Sequence, residues 1–168
     1  TADVFYRLEE LKKAGLIRAI GISNFGATQT KEVIDTAVQV DVNEMPYNIL
    51  SRAIEPELVP FCMQKNISIV GAMGLQQGLL TGKYLSADEV PYNQAHSRHF
   101  ANARGNGTSR HGTEGEETAV FTIITALRAM AKELNIGMDQ LSIAWLMAKP
   151  FLSATLVGSR SIEQLKKN

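Results

Sequence analysis

The sequence predicts an α/β fold in which parallel strands are covered by helices. Three observations predict it. Helix-like and strand-like segments alternate from the first residue to about residue 72; the runs "IRAIGI" and "ISIVGA" are apolar on both faces; and the connections between segments are short.

Each element has its own signal. Residues 1–15 read as an amphipathic helix with Val4, Leu8 and Leu11 on one face, closed by Gly15 after two lysines. Residues 17–22 have strand character, 28–37 read as a helix, and "VQVDVN" (38–43) alternates as a strand. Residues 55–66 form a third helical pattern, broken into by Pro60, and 67–72 a third strand. From 85 to 117 the chain is rich in Gly, Asn, Ser, His and Arg, which predicts one long mobile surface loop. A long helix follows to Gly137, and another starts near Asp139 as N-cap and stops at Pro150. "ATLVGSR" (154–160) supplies a fourth strand, and Ser161 caps a last helix.

The 168 residues have the length of one domain, and we expect 1–168 to form a single unit. Four βα steps are half of what a closed (β/α)8 barrel requires. A small open sheet would expose two edges, and no strand carries the usual lysine or proline guards, so the pattern suits half a barrel. Lys+Arg equal Asp+Glu, giving no electrostatic reason to expect nucleic acid or an anionic membrane as partner. No apolar run is long enough to span a bilayer, and the opening segment is not a signal peptide, so a cytoplasmic protein is expected. Cys62 is the only cysteine and fits a buried small hydrophobe; Trp145 and the helical methionines read as core. His96, His99 and His111 all fall in the long loop without the carboxylate or cysteine company of a metal site, and no metal is expected. Two glycosylation triplets, at Asn66 and Asn106, are short enough to arise by chance.

Three stretches could carry chemistry. Ser23 and Asn24 end a strand, where ligands sit in α/β folds; they equally fit a cap on the next helix. "GLQQGLLTGKY" (74–84) fails as a Walker A loop, because three residues instead of four separate its glycines and Tyr84 follows Lys83. It remains open as a looser anion loop or a plain turn. "GSRSIEQLKKN" (158–168) joins glycine, serine and arginine at a helix start, which suits a phosphate or a simple capped helix.

Taken in order, "LEELKKAGLIRAIGISNFG", "VNEMPYNIL", "LVPFCMQKNISIV", "GLLTGKY", "LSIAWLMAKP" and "LVGSRSIEQLKKN" resemble the C-terminal half of an aldo-keto reductase. The resemblance implies strands five to eight of a (β/α)8 barrel that binds NADP(H) at its strand ends and reduces a small aldehyde or ketone. By that resemblance Ser23 and Asn24 hold the nicotinamide carboxamide, assisted from Glu44. Ala72, Met73, Leu75 and Gln77 cover the pyrophosphate, with Lys83 further along. Gly158, Ser159 and Arg160 surround the adenosine 2′-phosphate, and Gln164 and Asn168 lie near the adenine.

Departures from the family pattern accompany it. Glu44 stands for a glutamine, Ala72 for an aromatic residue that stacks on nicotinamide, Met73-Gly74 for Ser-Pro, and Lys167 for a glutamate. The family's catalytic Asp, Tyr, Lys and His come from the first four strands. Tyr47, Tyr84 and Tyr92 match none of these positions, so no catalytic residue is assigned here. The expected partners are a carbonyl substrate and a missing N-terminal half-barrel, or a second copy. Regulatory barrels akin to potassium-channel β subunits, or a non-enzymatic half-barrel, are the alternatives.

Overall fold

A computed structural model describes residues 2–105 and 114–168. Two groups of residues pack as compact units, one comprising 1–74 with 145–158, the other 75–144 with 159–168.

The first unit is a parallel sheet with helices. Helix α1 (Ala2–Lys13) leads to β1 (Gly21–Ser23), α2 (Ala27–Ile34), β2 (Val42–Pro46), α3 (Leu58–Gln64) and β3 (Ser68–Ala72). Strand β4 (Leu152–Thr155) completes a sheet of order β1-β2-β3-β4. All three pairings are parallel, so each strand is reached by a crossover and all C-terminal ends lie along one rim.

The end of α1 obeys its sequence signal. Leu16 N–H bonds Leu11 O and Gly15 N–H bonds Lys12 O, both at 3.0 Å, the paired bonds of a Schellman stop. Gly15 sits at φ 73°, a conformation that glycine adopts without a Cβ penalty. The buried stripe of α1 is rotated from the expected one: Phe5 is buried and Leu8 half-buried against the core, while Val4 and Leu11 are exposed.

Strand boundaries moved. β1 is three residues long because residues 17–20 precede its ladder with β2, which begins at Gly21. The alternation in "VQVDVN" reports burial rather than pairing: Val38 and Val40 enter the core, but β2 starts at Val42, opposite Gly21 and Ser68. β4 ends at Thr155, so Gly158–Arg160 lie beyond the strand expected to carry them.

Within the sheet, Ile22, Asn43 and Ile69 are buried, while Gly21, Ser23 and Ser68 are exposed. Ile22 and Ile69 join Phe5, Val33, Leu58, Cys62 and Leu146 in one core on one face of the strands, while the apolar Val42, Val70 and Ala72 on the other face are half-buried. Cys62 is fully buried, and burial pushes its thiol pKa up. Pro60 is tolerated because it occupies the first turn of α3, where backbone N–H groups have no intrahelical acceptor. The helical methionines divide: Met138 is buried, whereas Met63, Met130 and Met147 are exposed.

Asp41 pins the turn before β2. Its Oδ2 accepts from Lys12 Nζ at 2.6 Å and from Ile20 N–H at 2.7 Å. Partial burial works to raise the carboxyl pKa, but these bonds outweigh it and hold the value below the ordinary 3.8. A depressed folded-state pKa means that the unfolded chain takes up this proton first as pH falls. Asp41 therefore contributes its full stability above pH 3.8 and loses it as pH drops through the folded-state value. Asp41→Asn is expected to flatten the acid limb of a melting-temperature profile between about pH 5 and pH 2; an unchanged acid limb would refute this.

In the second unit, α4 (Glu117–Glu133) buries Val120, Ile124 and Ala131. Its Arg128 guanidinium donates to the carbonyls of Gly82 (2.9 Å) and Tyr84 (2.8 Å). The described part of the 85–117 segment contains short 3-10 turns at Ala87–Glu89, Tyr92–Gln94 and Asn102–Gly105. It buries Val90, Ala95 and Phe100, and Arg104 pairs with Asp88 at 2.9 Å. His111 and the Asn106 triplet lie outside the described residues.

Helix α5 (Met138–Met147) starts one residue before the expected cap. Gly137 N–H is satisfied by Gln140 Oε1 at 3.0 Å, and Asp139, in the first turn, instead binds Lys167 Nζ at 2.8 Å. Helix α6 (Ile162–Lys167) begins as read: Ser161 Oγ accepts from Gln164 N–H at 3.2 Å.

Candidate functional site

The rim of the first unit brings five expected site residues together. Ser23 ends β1 and lies in register with Glu44 on β2, and both side chains are on the face away from buried Ile22 and Asn43. Asn24 follows with φ 61°, and its N–H donates to Glu44 O at 2.9 Å. The Asn24 amide gives one N–H to Ser23 Oγ at 2.8 Å, so the two side chains are mutually oriented. Serine retains an O–H to donate and asparagine an oxygen to accept, the complement of a primary carboxamide. Ala72 ends β3 in register with Pro46, followed by Met73 at φ 55°.

This rim is braced from β2 and its following turn. Asn43, fully buried, donates from Nδ2 to Phe25 O at 2.8 Å. Asn48, also fully buried, donates to Met73 O at 2.9 Å and accepts from the N–H groups of Leu50 (2.9 Å) and Ser51 (3.0 Å). Between them Tyr47 turns its ring into the core, stacked on Trp145 at 5.5 Å and edge-on to Phe151 at 5.3 Å. Its hydroxyl donates to Glu55 Oε1 at 2.5 Å, and Glu55 is also gripped by Arg52 through two bonds of 2.9 Å. Burial, then the adjacent Glu55 carboxylate, push the Tyr47 phenol pKa well up; Arg52 first, then Tyr47, hold Glu55 low. Sequence reading missed Asn43 and Asn48. Their signal was a polar amide interrupting an otherwise buried strand pattern, "VDVNEMPYN".

The second unit holds the others except Gly158. After β3 the backbone enters the left-handed region at Gln76, Gln77 and Gly78, with φ of 44°, 54° and 95°. Non-glycine residues held there cluster at functional sites. Lys83 folds back over this turn: a Cβ on Gly78 would lie 2.9 Å from its Nζ, which also sits 4.5 Å from the Tyr84 ring centre. Leu75 opens the turn and accepts the Gly78 and Leu80 N–H groups. Near the C-terminus, Asn168 donates to Ser159 Oγ at 3.3 Å, and Gln164 Oε1 accepts the Arg160 N–H at 2.8 Å, so Ser159, Arg160, Gln164 and Asn168 are drawn together. The Arg160 side chain is exposed. Helix α6 has only six residues, so its dipole adds little and any anion grip there rests on side chains. Lys167 is held by Asp139, which accounts for a lysine at that position. Gly158 belongs to the first unit and has open space where a Cβ would stand. Among the described residues no helix is long and apolar enough to cross a membrane.

Comparison with known proteins decides the family. A model of the Aldo/keto reductase family matches residues 1–168. This chain belongs to the aldo/keto reductase family. It is similar to the NADH-specific methylglyoxal reductase of Escherichia coli, with 30% identity over 167 residues, 99% of this chain and 47% of that protein. The aldo-keto reductase yakc [NADP(+)] of Schizosaccharomyces pombe is 27% identical over 165 residues, 96% of this chain and 45% of its own length. Among solved structures, a glycerol dehydrogenase of Gluconobacter oxydans superposes with a TM-score of 0.75 at 20% identity, covering 99% of this chain and 47% of that one. A thermostable aldo-keto reductase gives 0.65 at 22% identity, with the same coverage. The chain thus spans about half the length of the relatives it matches. Its parallel four-stranded sheet is consistent with half of a reductase barrel.

Proposed function

We propose that this aldo-keto reductase chain is the C-terminal, coenzyme-binding half of a (β/α)8 barrel, strands five to eight, in a protein that reduces an aldehyde or ketone with NADP(H). The observation that carries the reading is the meeting of Ser23, Asn24 and Glu44 at the ends of adjacent parallel strands. The donors and acceptors there fit a carboxamide, and the strand-end rim is where α/β folds bind ligands. A bound nicotinamide supplies the hydride. The residues of this chain orient it: Ser23 and Asn24 fix the carboxamide, and the turn from Ala72 to Gln77 covers the pyrophosphate with Leu75 and Lys83. Ser159 and Arg160, after Gly158, face the adenosine phosphate, and Gln164 and Asn168 flank the adenine. The proton donor comes from the other half of the barrel, which is the partner this half requires.

A second reading has its own support. Glu44 lacks the amide donor of a glutamine, and Ala72 offers no ring to stack on nicotinamide, a contact worth about 0.5–1.5 kcal/mol. Both weaken the grip and suit a barrel that senses bound coenzyme instead of turning it over.

Direct binding of NADPH and NADH to the full-length protein tests the reading, since binding of neither would overturn it. The names of the relatives include both coenzymes, so the choice is itself a test of Arg160. A charge-assisted contact to a 2′-phosphate is worth about 1.5–3 kcal/mol. Arg160→Ala is therefore expected to weaken NADPH binding about tenfold to a hundredfold and leave NADH nearly unchanged. Equal losses would show that Arg160 does not read the phosphate.

A further inference from the structure

The two kinks on which the proposed nicotinamide rest depends both lie in the left-handed region, which asparagine tolerates better than methionine does. Asn24 and Met73 have φ of 61° and 55°, and neither is glycine. Such a residue persists only when its surroundings over-determine it. Here the restraint comes from both sides of one strand. Asn43 on β2 reaches toward β1 and takes the carbonyl of Phe25, the residue after the first kink, at 2.8 Å. Asn48, in the turn after β2, reaches toward β3 and takes the carbonyl of Met73 itself at 2.9 Å. Main-chain bonds run in the same two directions, from Asn24 N–H to Glu44 O at 2.9 Å and from Tyr47 N–H to Ala72 O at 3.0 Å.

Burial does not explain these amides. Both are fully buried, where an apolar residue would serve the core better. Among the described residues the Asn43 Oδ1 has no hydrogen-bond partner, while its Nδ2 donates to Phe25 O and lies 3.5 Å from Thr30 Oγ1, so the donor side of this amide makes its contacts. We propose that Asn43 and Asn48 are positioning residues that clamp the loops after β1 and β3, and so set the distance between the Ser23–Asn24 carboxamide grip and the Ala72–Met73 platform. The proposal rests on the nicotinamide reading above. It also supplies what Ala72 lacks: with no aromatic ring to centre the nicotinamide, placement falls to the backbone that these two amides hold.

Aspartate substitutions isolate the clamp from the fold. Asn48→Asp keeps an oxygen for the Leu50 and Ser51 N–H groups but turns an acceptor toward Met73 O. Asn43→Asp does the same toward Phe25 O. In the full-length protein, each variant is titrated with the reduced coenzyme that wild type prefers. Each is also titrated with the matching nicotinamide-free fragment, 2′-phospho-ADP-ribose or ADP-ribose. We expect coenzyme binding to weaken about tenfold while the fragment is unaffected. Equal weakening of coenzyme and fragment would show a general structural role and overturn the proposal, as would unchanged coenzyme binding. Asn48→Ser and Asn43→Ser, which restore a short donor, are the second pair should an aspartate variant fail to fold, and are expected to show the same selective loss to a smaller degree. A wild type that binds neither coenzyme would overturn the nicotinamide reading and the clamp with it, an outcome distinct from any variant result.

Discussion

NADPH mixed with the 168-residue chain alone and a broad panel of aldehydes is expected to be oxidised no faster than in a blank without protein. Carbonyl reduction needs a proton at the oxygen as hydride arrives, and a positioned general acid contributes about 10²–10⁴-fold. The tyrosines here are poorly placed for that work. Tyr47 is fully buried, its hydroxyl donates a hydrogen bond to Glu55, and burial with that carboxylate raises its pKa. The Tyr84 hydroxyl donates a hydrogen bond to Gln94 Oε1 at 2.7 Å, while Tyr6 and Tyr92 are exposed side chains on α1 and on the 92–94 turn. Under the proposed function, supplying the other half of the barrel is expected to bring activity. Turnover by the chain alone, clearly above the blank, would place a proton donor within these residues and defeat the reading.

Tyr47→Ala is expected to cause the largest loss of stability of any single change considered. The ring is fully buried between Trp145 and Phe151, and truncating such an aromatic costs about 3–5 kcal/mol. The substitution also frees Glu55 from one partner beneath the turn that carries Asn48. Tyr47→Phe keeps the packing and loses one hydrogen bond, at about 1 kcal/mol, because Arg52 still pairs with Glu55. Urea melts of the full-length protein, with the m-value unchanged, would separate the two. A Phe variant as unstable as the Ala variant would mean that the hydroxyl, not the ring, holds this corner.

Some features are legible in the sequence alone. Gly15 after "LKKA" and Ser161 before "IEQLKK" announce a helix stop and a helix start through chemistry confined to a few neighbouring residues. The α-β alternation announces a parallel sheet because a crossover helix is what returns a strand in the same direction. The order of motifs, from "ISNFG" to "LVGSRS", announces the family, which the match over residues 1–168 shows.

Other features depend on partners distant in the chain, and local pattern does not hold them. Val38 and Val40 look like strand and are core, since a ladder exists only where Gly21 and Ser68 stand opposite, from Val42 onward. Asp139 looks like a cap and is an ion-pair partner, because Lys167, 28 positions later, reaches it. Val4 and Leu11 share a helical stripe with Leu8, yet the core touches Phe5. The candidate site divides the same way. Ser23 and Asn24 could be picked as candidates from sequence because ligands sit at strand ends in α/β folds. That two fully buried asparagines grip the carbonyls of Phe25 and Met73 could not, because those bonds join residues 18 and 25 positions apart. Sequence determined which elements form and in what order they follow one another along the chain. Tertiary structure alone decided which polar groups meet, since a hydrogen bond needs its partners within about 3 Å and only the packed sheet brings these strands that close.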